Sequence, residues 1–163
     1  MPTVRLVTTI HAPIEQCFDL ARSVDAHRES VAQTRERAIA GVTSGLLVLG
    51  DAVTWEAIHF GVRQRLTVQI TEFDPPHHFI DALVKGPFRA LRHVHEFTPD
   101  GDATRMVDLF SFEVPGGIAG RLVTALILTR YMRTFLYKRN LYLKSVAEAN
   151  QAKEREQEPH GHC

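Results

Sequence analysis

Cysteine is scarce in this chain, with only Cys17 and Cys163 among 163 residues. Two such residues make neither a disulfide framework nor a zinc-ligand spacing, which points to a reducing compartment and makes the cytoplasm the expected location. An excess of charge is also lacking. Nineteen basic side chains balance nineteen acidic ones, for a formal net charge of +0, so no global field favours nucleic acid and none is expected as a partner. The N-terminus MPTVRLVTTI has no basic stretch leading into an apolar core and a small-residue cleavage site, so no secretory signal is read there. Long apolar runs are missing too. The greasiest segment, Leu122–Leu128, is flanked by Arg121 and Arg130 and falls well short of the roughly 20 residues that span a bilayer. Finally, there is no Gly-x-Ser-x-Gly, no paired cysteine and no glycine-rich phosphate loop between strand and helix, which removes the familiar nucleophile and nucleotide classes.

What is present is one domain's worth of hydrophobic material, 44% of the chain, in a clear order of patterns. Val4–Ile10 alternates and is β-branched, predicting a strand. Pro13 then opens a helix with Ile14, Cys17, Phe18 and Ala21 on one face, Cys17 reading as a small buried hydrophobe, and Asp25–Ser30 predicts a second short helix. Short β-rich runs follow near Arg35–Ala40, Ala52–Phe60, Val62–Phe73, Phe79–Val84, Arg89–Thr98 and Thr104–Glu113, separated by glycine and proline breakers. The gaps are short, which predicts antiparallel hairpins.

The chain closes with Pro115–Ala149, too long for a strand and free of internal proline, hence a single long helix. Ile118, Leu122, Ala125, Thr129, Met132, Leu136 and Leu143 form an inner stripe, while Val123, Ile127, Tyr131 and Phe135 form a second one. Burial under the two short helices is expected for the second stripe. Its alternative is a docking face for a partner or for a second copy of the chain in a homodimer. No acidic residue occurs from Val114 to Ala147, so the helix is basic, and Arg130, Arg133 and Arg139 are read as a solvated outer face or as a collar selecting anionic ligands. Residues 150–163 are polar and read as a flexible tail beyond a domain of residues 1–149. The sum is an α+β fold in which a curved seven-stranded antiparallel sheet wraps a long C-terminal helix, with two short helices after the first strand. A curled sheet closed by one helix leaves a space between them.

Several stretches carry a family likeness: Ile10-His11-Ala12-Pro13 before Glu15 and Phe18, His59-Phe60-Gly61-Val62, Pro76 with Phe79-Ile80-Asp81, Gly86-Pro87-Phe88, His93-Val94-His95-Glu96-Phe97, Thr104 with Asp108, Pro115-Gly116, Tyr131-Met132 and Arg139-Asn140. On these the chain resembles the START-related SRPBCC superfamily, the helix-grip fold shared by polyketide cyclases and lipid-transfer domains, and within it a bacterial ligand-binding subgroup. The resemblance implies a cavity for a hydrophobic small molecule without naming one; a lipid, quinone or polyketide-like compound is the expected class, and no cofactor is expected.

Candidate site residues follow from strand parity. His93 and His95 lie two apart on one strand, so both imidazoles share a face with Leu91 and Phe97. A four-residue loop at Pro99–Asp102 would set His93 opposite Asp108 and His95 opposite Met106, a pairing suited to acid/base catalysis by a cyclase, dehydratase or hydrolase. A three-residue bulged loop would bring Val107 and Arg105 there instead. His-x-His supplies only two metal ligands, with Asp108 or His59 as a third, and no metal site is assigned. The terminal His160-Gly161-His162-Cys163 offers further metal-binding groups. Trp55 shares a strand face with Val53, Ala57 and His59. Ligand contact is expected from Trp55, His59, Phe79, Phe97, Phe110, Phe112, Thr129, Met132 and Phe135, with Thr129 and Met132 nearest the histidines. Arg63 and Arg65 point to solvent.

Overall fold

The structure is a computed structural model that describes residues 1–158. Its elements are β1 (Thr3–Ile10), α1 (Ile14–Ala21), α2 (Val24–Ser30), a short 3-10 turn (Ala32–Thr34), β2 (Arg37–Gly41), β3 (Ala52–His59), β4 (Val62–Asp74), β5 (His78–Lys85), β6 (Ala90–Asp100), β7 (Ala103–Glu113) and α3 (Ile118–Gln157). The seven strands form one antiparallel sheet in the order β1-β7-β6-β5-β4-β3-β2. Only the link between the first two positions is not a simple neighbour step: β1 pairs with the last strand, so α1, α2 and β2 to β6 are laid down before that edge closes. Register irregularities at Ala38/Ala40, Thr67/Val68 and Ile70/Glu72 curl the sheet, since each extra residue bends its strand and raises the local twist.

Tight turns hold this together. Phe60 and Gly61 both take positive φ (52° and 72°) between His59 and its partner Val62, the geometry of a two-residue hairpin whose twist matches its strands. The β2 to β3 connection is not tight. It runs out as a loop that folds over the α1–α2 junction, where Val24 N donates to Gly45 O (2.9 Å) and Leu47 N to Arg22 O (3.1 Å). α1 drops Phe18 against Phe73, Phe79 and Phe97, each at a ring separation of 5.5 Å, and this aromatic plug fills one end of the concave face. Cys17 is buried beside it, and burial pushes its thiol up.

α3 crosses the concave face against β1, α1 and α2. Its buried stripe is Phe135, Leu136, Arg139, Asn140, Leu143 and Ala147. The expected inner stripe therefore holds only in part. Ile118 and Leu122 are 89% and 66% exposed, and Val123 and Ile127 are 58% exposed each, so the first half of the second stripe stays uncovered while Tyr131 and Phe135 turn to the cavity wall. Those two helices pack on α3 farther along, beyond the reach of its first three turns. The helix also continues eight residues past Ala149, and Gln151 reaches Gln16 at 3.4 Å. Of the expected polar tail, residues 150–157 are helical, while the His160-Gly161-His162-Cys163 group lies outside the described residues. Among the described residues no helix is long and apolar enough to cross a membrane.

Candidate functional site: a walled cavity with a buried His–Asp cluster

Between the sheet and α3 lies a cavity of about 320 Å³. Every second residue of β3 faces it (Val53, Trp55, Ala57 and His59), as strand parity requires. Phe79, Phe110, Met132 and Phe135 add apolar wall, and exposed Phe60, Pro87 and Thr124 mark its mouth beside the start of α3. Three residues expected to line it do not. Phe97 is fully buried against Phe18 and Phe79, Phe112 packs on Phe88 and Phe110, and the Thr129 hydroxyl turns back to Ala125 O in its own helix (2.5 Å). Two smaller polar contacts sit along the walls. His59 Nδ1 meets the Tyr131 hydroxyl at 2.6 Å, bridging β3 to α3, and His27 Nε2 meets Glu36 Oε1 at 2.9 Å under Trp55. Burial lowers the His59 pKa and raises that of Tyr131.

The concentrated polar spot is on the sheet. His93 and His95 from β6 and Asp81 from β5 face the cavity, with Asp108 from β7 immediately behind them. The β6–β7 turn is tighter than expected, because Asp100 pairs with Ala103 across Gly101 and Asp102, and Gly101 takes φ 62°. The pairing therefore slips by two residues: His95 stands opposite Asp108, His93 opposite Phe110, and Met106 opposite Phe97. A slip of two preserves the face of every side chain, so Asp108 still reaches both imidazoles. His93 Nε2 is 3.0 Å from Asp108 Oδ1, and His95 Nδ1 is 2.9 Å from the same oxygen in an ion-pair contact too poorly angled to count as a hydrogen bond.

Helix α3 supplies the remaining partners, two turns beyond the expected Thr129 and Met132. Arg139 is 2% exposed, not solvated, and its Nη1 donates to Asp108 Oδ1 (3.3 Å) and Asn140 Oδ1 (3.0 Å) while Nη2 donates to Ala21 O (3.1 Å). Asn140 Nδ2 donates to Asp108 Oδ2 at 2.7 Å and to Thr8 Oγ1 at 3.3 Å. Burial works against the Asp108 charge, but the two histidines and the Arg139 guanidinium hold its carboxyl well below the usual carboxylate range. Asp81 is held down in the same way by His95 and His93. The imidazoles diverge. Burial, reinforced by its neighbour His95, drives His93 down to about 4, whereas for His95 the contacts with Asp108 and Asp81 outweigh burial and raise it. The two neighbouring imidazoles are thus pushed in opposite directions by the carboxylates and the burial they share.

Asp81, Arg139 and Asn140 belong to the stretches that carry the family likeness, but the sequence-based expectations leave them out of the cluster, since strand parity and helix spacing are not applied to them. Asp81 is two residues from Phe79 in an otherwise apolar run, so parity alone puts it on the cavity face, and Arg139 lies on the helical spacing that joins Leu136 to Leu143. A charge on a buried stripe is the signal for a buried ion pair.

Comparison with known proteins follows the same outline. A family model described as "Polyketide cyclase / dehydrase and lipid transport" matches residues 1–148. No curated protein matches this chain. Among solved structures, the protein TTHA0849 from Thermus thermophilus superposes with a TM-score of 0.70 at 20% identity, over 90% of this chain and 99% of that one. A START superfamily protein from Mycobacterium smegmatis gives a TM-score of 0.69 at 13% identity, over 90% and 97%. The di-domain ARO/CYC StfQ of the steffimycin biosynthetic pathway gives 0.73 at 9% identity, over 92% of this chain and 52% of that one, so this chain matches about half of StfQ.

Proposed function

The chain belongs to the polyketide cyclase / dehydrase and lipid transport family, and from that premise we propose that it binds and carries a hydrophobic small molecule in the cavity between sheet and α3. The observation that carries this reading is the cavity itself, about 320 Å³ with walls of Trp55, Phe79, Phe110, Met132 and Phe135 and one polar patch. Few convergent polar groups in an apolar chamber are what orient a small ligand. A volume near the lower end of the roughly 300–1,000 Å³ typical of such sites suits one ring system or one chain, a quinone or polyketide-like compound more than a two-chain lipid. His95 and Arg139 would donate to its oxygen, and Asp81 would accept from a hydroxyl. Exchange of the cargo is read at the mouth, where the exposed apolar start of α3 and its neighbouring Arg121 and Arg130 suit transient contact with an anionic membrane surface. Extraction of the purified protein with organic solvent and mass spectrometry tests the reading. One co-purifying lipophile near one equivalent per chain is expected, and its addition back raises Tm. Failure of a broad panel of quinones, fatty acids and polyketide-like aromatics to raise Tm would sink it.

A second reading, acid/base catalysis of a cyclase or dehydratase type, draws on one observation. Two imidazoles with ring centroids 3.8 Å apart have their proton affinities pushed in opposite directions, the condition under which one acts as acid and the other as base. If so, His95→Gln leaves cargo bound but chemically unchanged, whereas the unaltered protein releases it with a changed mass.

A further inference from the structure

The wall cluster has a geometry that carriage of an apolar cargo does not require. Asp81 Oδ1 lies 3.8 Å from His93 Nδ1 and 3.5 Å from His95 Nε2, and one ligand atom from each of the three residues lies within 4.8 Å of the others. Two bonds of about 2.1 Å to a shared ion span at most about 4.2 Å, so Asp81 is placed to share an ion with either imidazole. On the far side of both rings stands Asp108, with Oδ1 at 3.0 Å from His93 Nε2 and 2.9 Å from His95 Nδ1. Each histidine thus turns one nitrogen to Asp108 and the other toward Asp81. Metal-bound histidines are held in this way, with a carboxylate on the nitrogen that does not bind the ion. Asp108 is itself fixed by Arg139 and Asn140. Asp81 Oδ1 is buried and makes no aligned hydrogen bond, its nearest partners being these two imidazoles at 3.5 and 3.8 Å, so its lone pairs are under-used at the cavity wall.

We propose that Asp81, His93 and His95 form a mononuclear site for a divalent transition-metal ion, oriented from behind by Asp108 and open toward the cavity. Two imidazoles and one carboxylate suit borderline ions such as Zn²⁺, Fe²⁺ or Co²⁺, not Ca²⁺ or Mg²⁺, which take oxygen donors. His59, on a different strand and engaged with Tyr131, takes no part. With Arg139 balancing one carboxylate, the ion leaves the site net positive, so an oxygen of an anionic or enolisable compound is the class of ligand it would take in its open positions. The site stands whether or not the cavity carries an apolar cargo.

The test uses the full chain with His160→Ala, His162→Ala and Cys163→Ser, so that the terminal groups cannot compete, stripped with a chelator. Co²⁺ titration followed by visible ligand-field absorption is expected to saturate at one equivalent, with Zn²⁺ displacing the signal. Asp81→Asn in that background removes a ligand without removing an aligned hydrogen bond, and is expected to weaken binding at least about tenfold, the lower limit seen for loss of even an indirect partner. Should the Asp81→Asn variant fail to fold, the parent chain gives a separate reading. Zn²⁺ is expected to shift the ring ¹⁵N signals of His93 and His95 and to leave those of His59 and His27 in place. Absence of stoichiometric binding, affinity unchanged by Asp81→Asn, or shifts confined to other histidines overturns the proposal.

Discussion

Replacing Arg139 by methionine takes away the fixed cation of the buried cluster while keeping most of the volume of the side chain. The guanidinium and Asp108 are 3% and 0% exposed, with Nη1 and Oδ1 at 3.3 Å. Breaking a buried pair by removing one partner costs about 3–5 kcal/mol, because the surviving charge stays desolvated. Asp108 retains Asn140 at 2.7 Å, His93 at 3.0 Å and His95 at 2.9 Å, so the lower end applies, about 3 kcal/mol. Loss of the bond to Ala21 O adds an unpaired carbonyl at the end of α1. For a chain of this size that converts to a fall in Tm of roughly 6–12 °C. Urea denaturation of the chelator-treated protein gives the free energy directly, free of any contribution from bound metal. Asp108→Asn/Arg139→Met, which removes both charges, is expected to recover part of the loss, so that the double-variant cycle shows a favourable coupling above about 1 kcal/mol. An Arg139→Met variant less than about 1 kcal/mol weaker than the parent would refute the claim that this ion pair is desolvated.

Three further outcomes are expected. Glu56 accepts from Arg37 Nη2 at 2.6 Å and Arg65 Nε at 2.9 Å, which lower its pKa to about 2; its stabilisation is therefore present above about pH 4.5 and lost as pH falls toward about 2, so Glu56→Gln flattens that acid limb of the stability profile, and less so in high salt because both arginines are exposed. Ala57 faces the cavity from β3, so Ala57→Phe fills much of it and is expected to abolish the rise in Tm given by the cargo while the chain still folds; an unchanged rise would place the ligand elsewhere. Leu122→Asp/Leu126→Asp alters two exposed apolar residues at the mouth and is expected to reduce co-sedimentation with phosphatidylserine vesicles at least about fivefold with Tm unchanged, as roughly 1 kcal/mol of lost contact implies; equal sedimentation would remove the membrane from the account.

The strands, hairpins and closing helix were legible in the sequence because period-2 and period-3.6 patterns report burial directly, and glycine and proline mark where each ends. Parity was enough to put His93, His95 and Asp108 on one face, and it survived a wrong loop length because the slip was even. Loop length itself was not legible: Pro99-Asp100-Gly101-Asp102 fits several hairpins, and pairing across the whole of β6 and β7 decides among them. Arg139 was misplaced because a basic side chain in a basic helix suggests solvent, and only the carboxylate arriving from β7 makes its burial tolerable. The first turns of α3 failed for the opposite reason. Apolar spacing says that a face wants cover, not that the fold provides any.

Arg139 donates at once to a sheet carboxylate and to Ala21 O, the last carbonyl of α1, and this makes it a rivet. Sheet, α1 and the middle of α3 are pinned through one planar group. Ile118–Ile127, on the other side of the cavity mouth, are tied at their root by the contact between Arg121 and Glu113. One continuous helix therefore has two mechanical regimes, a clamped beam from Tyr131 onward, where His59 also holds it, and before it a span fastened only at its ends. Widening of the cavity would be carried by bowing of that span, while the His–Asp cluster stays where the rivet holds it.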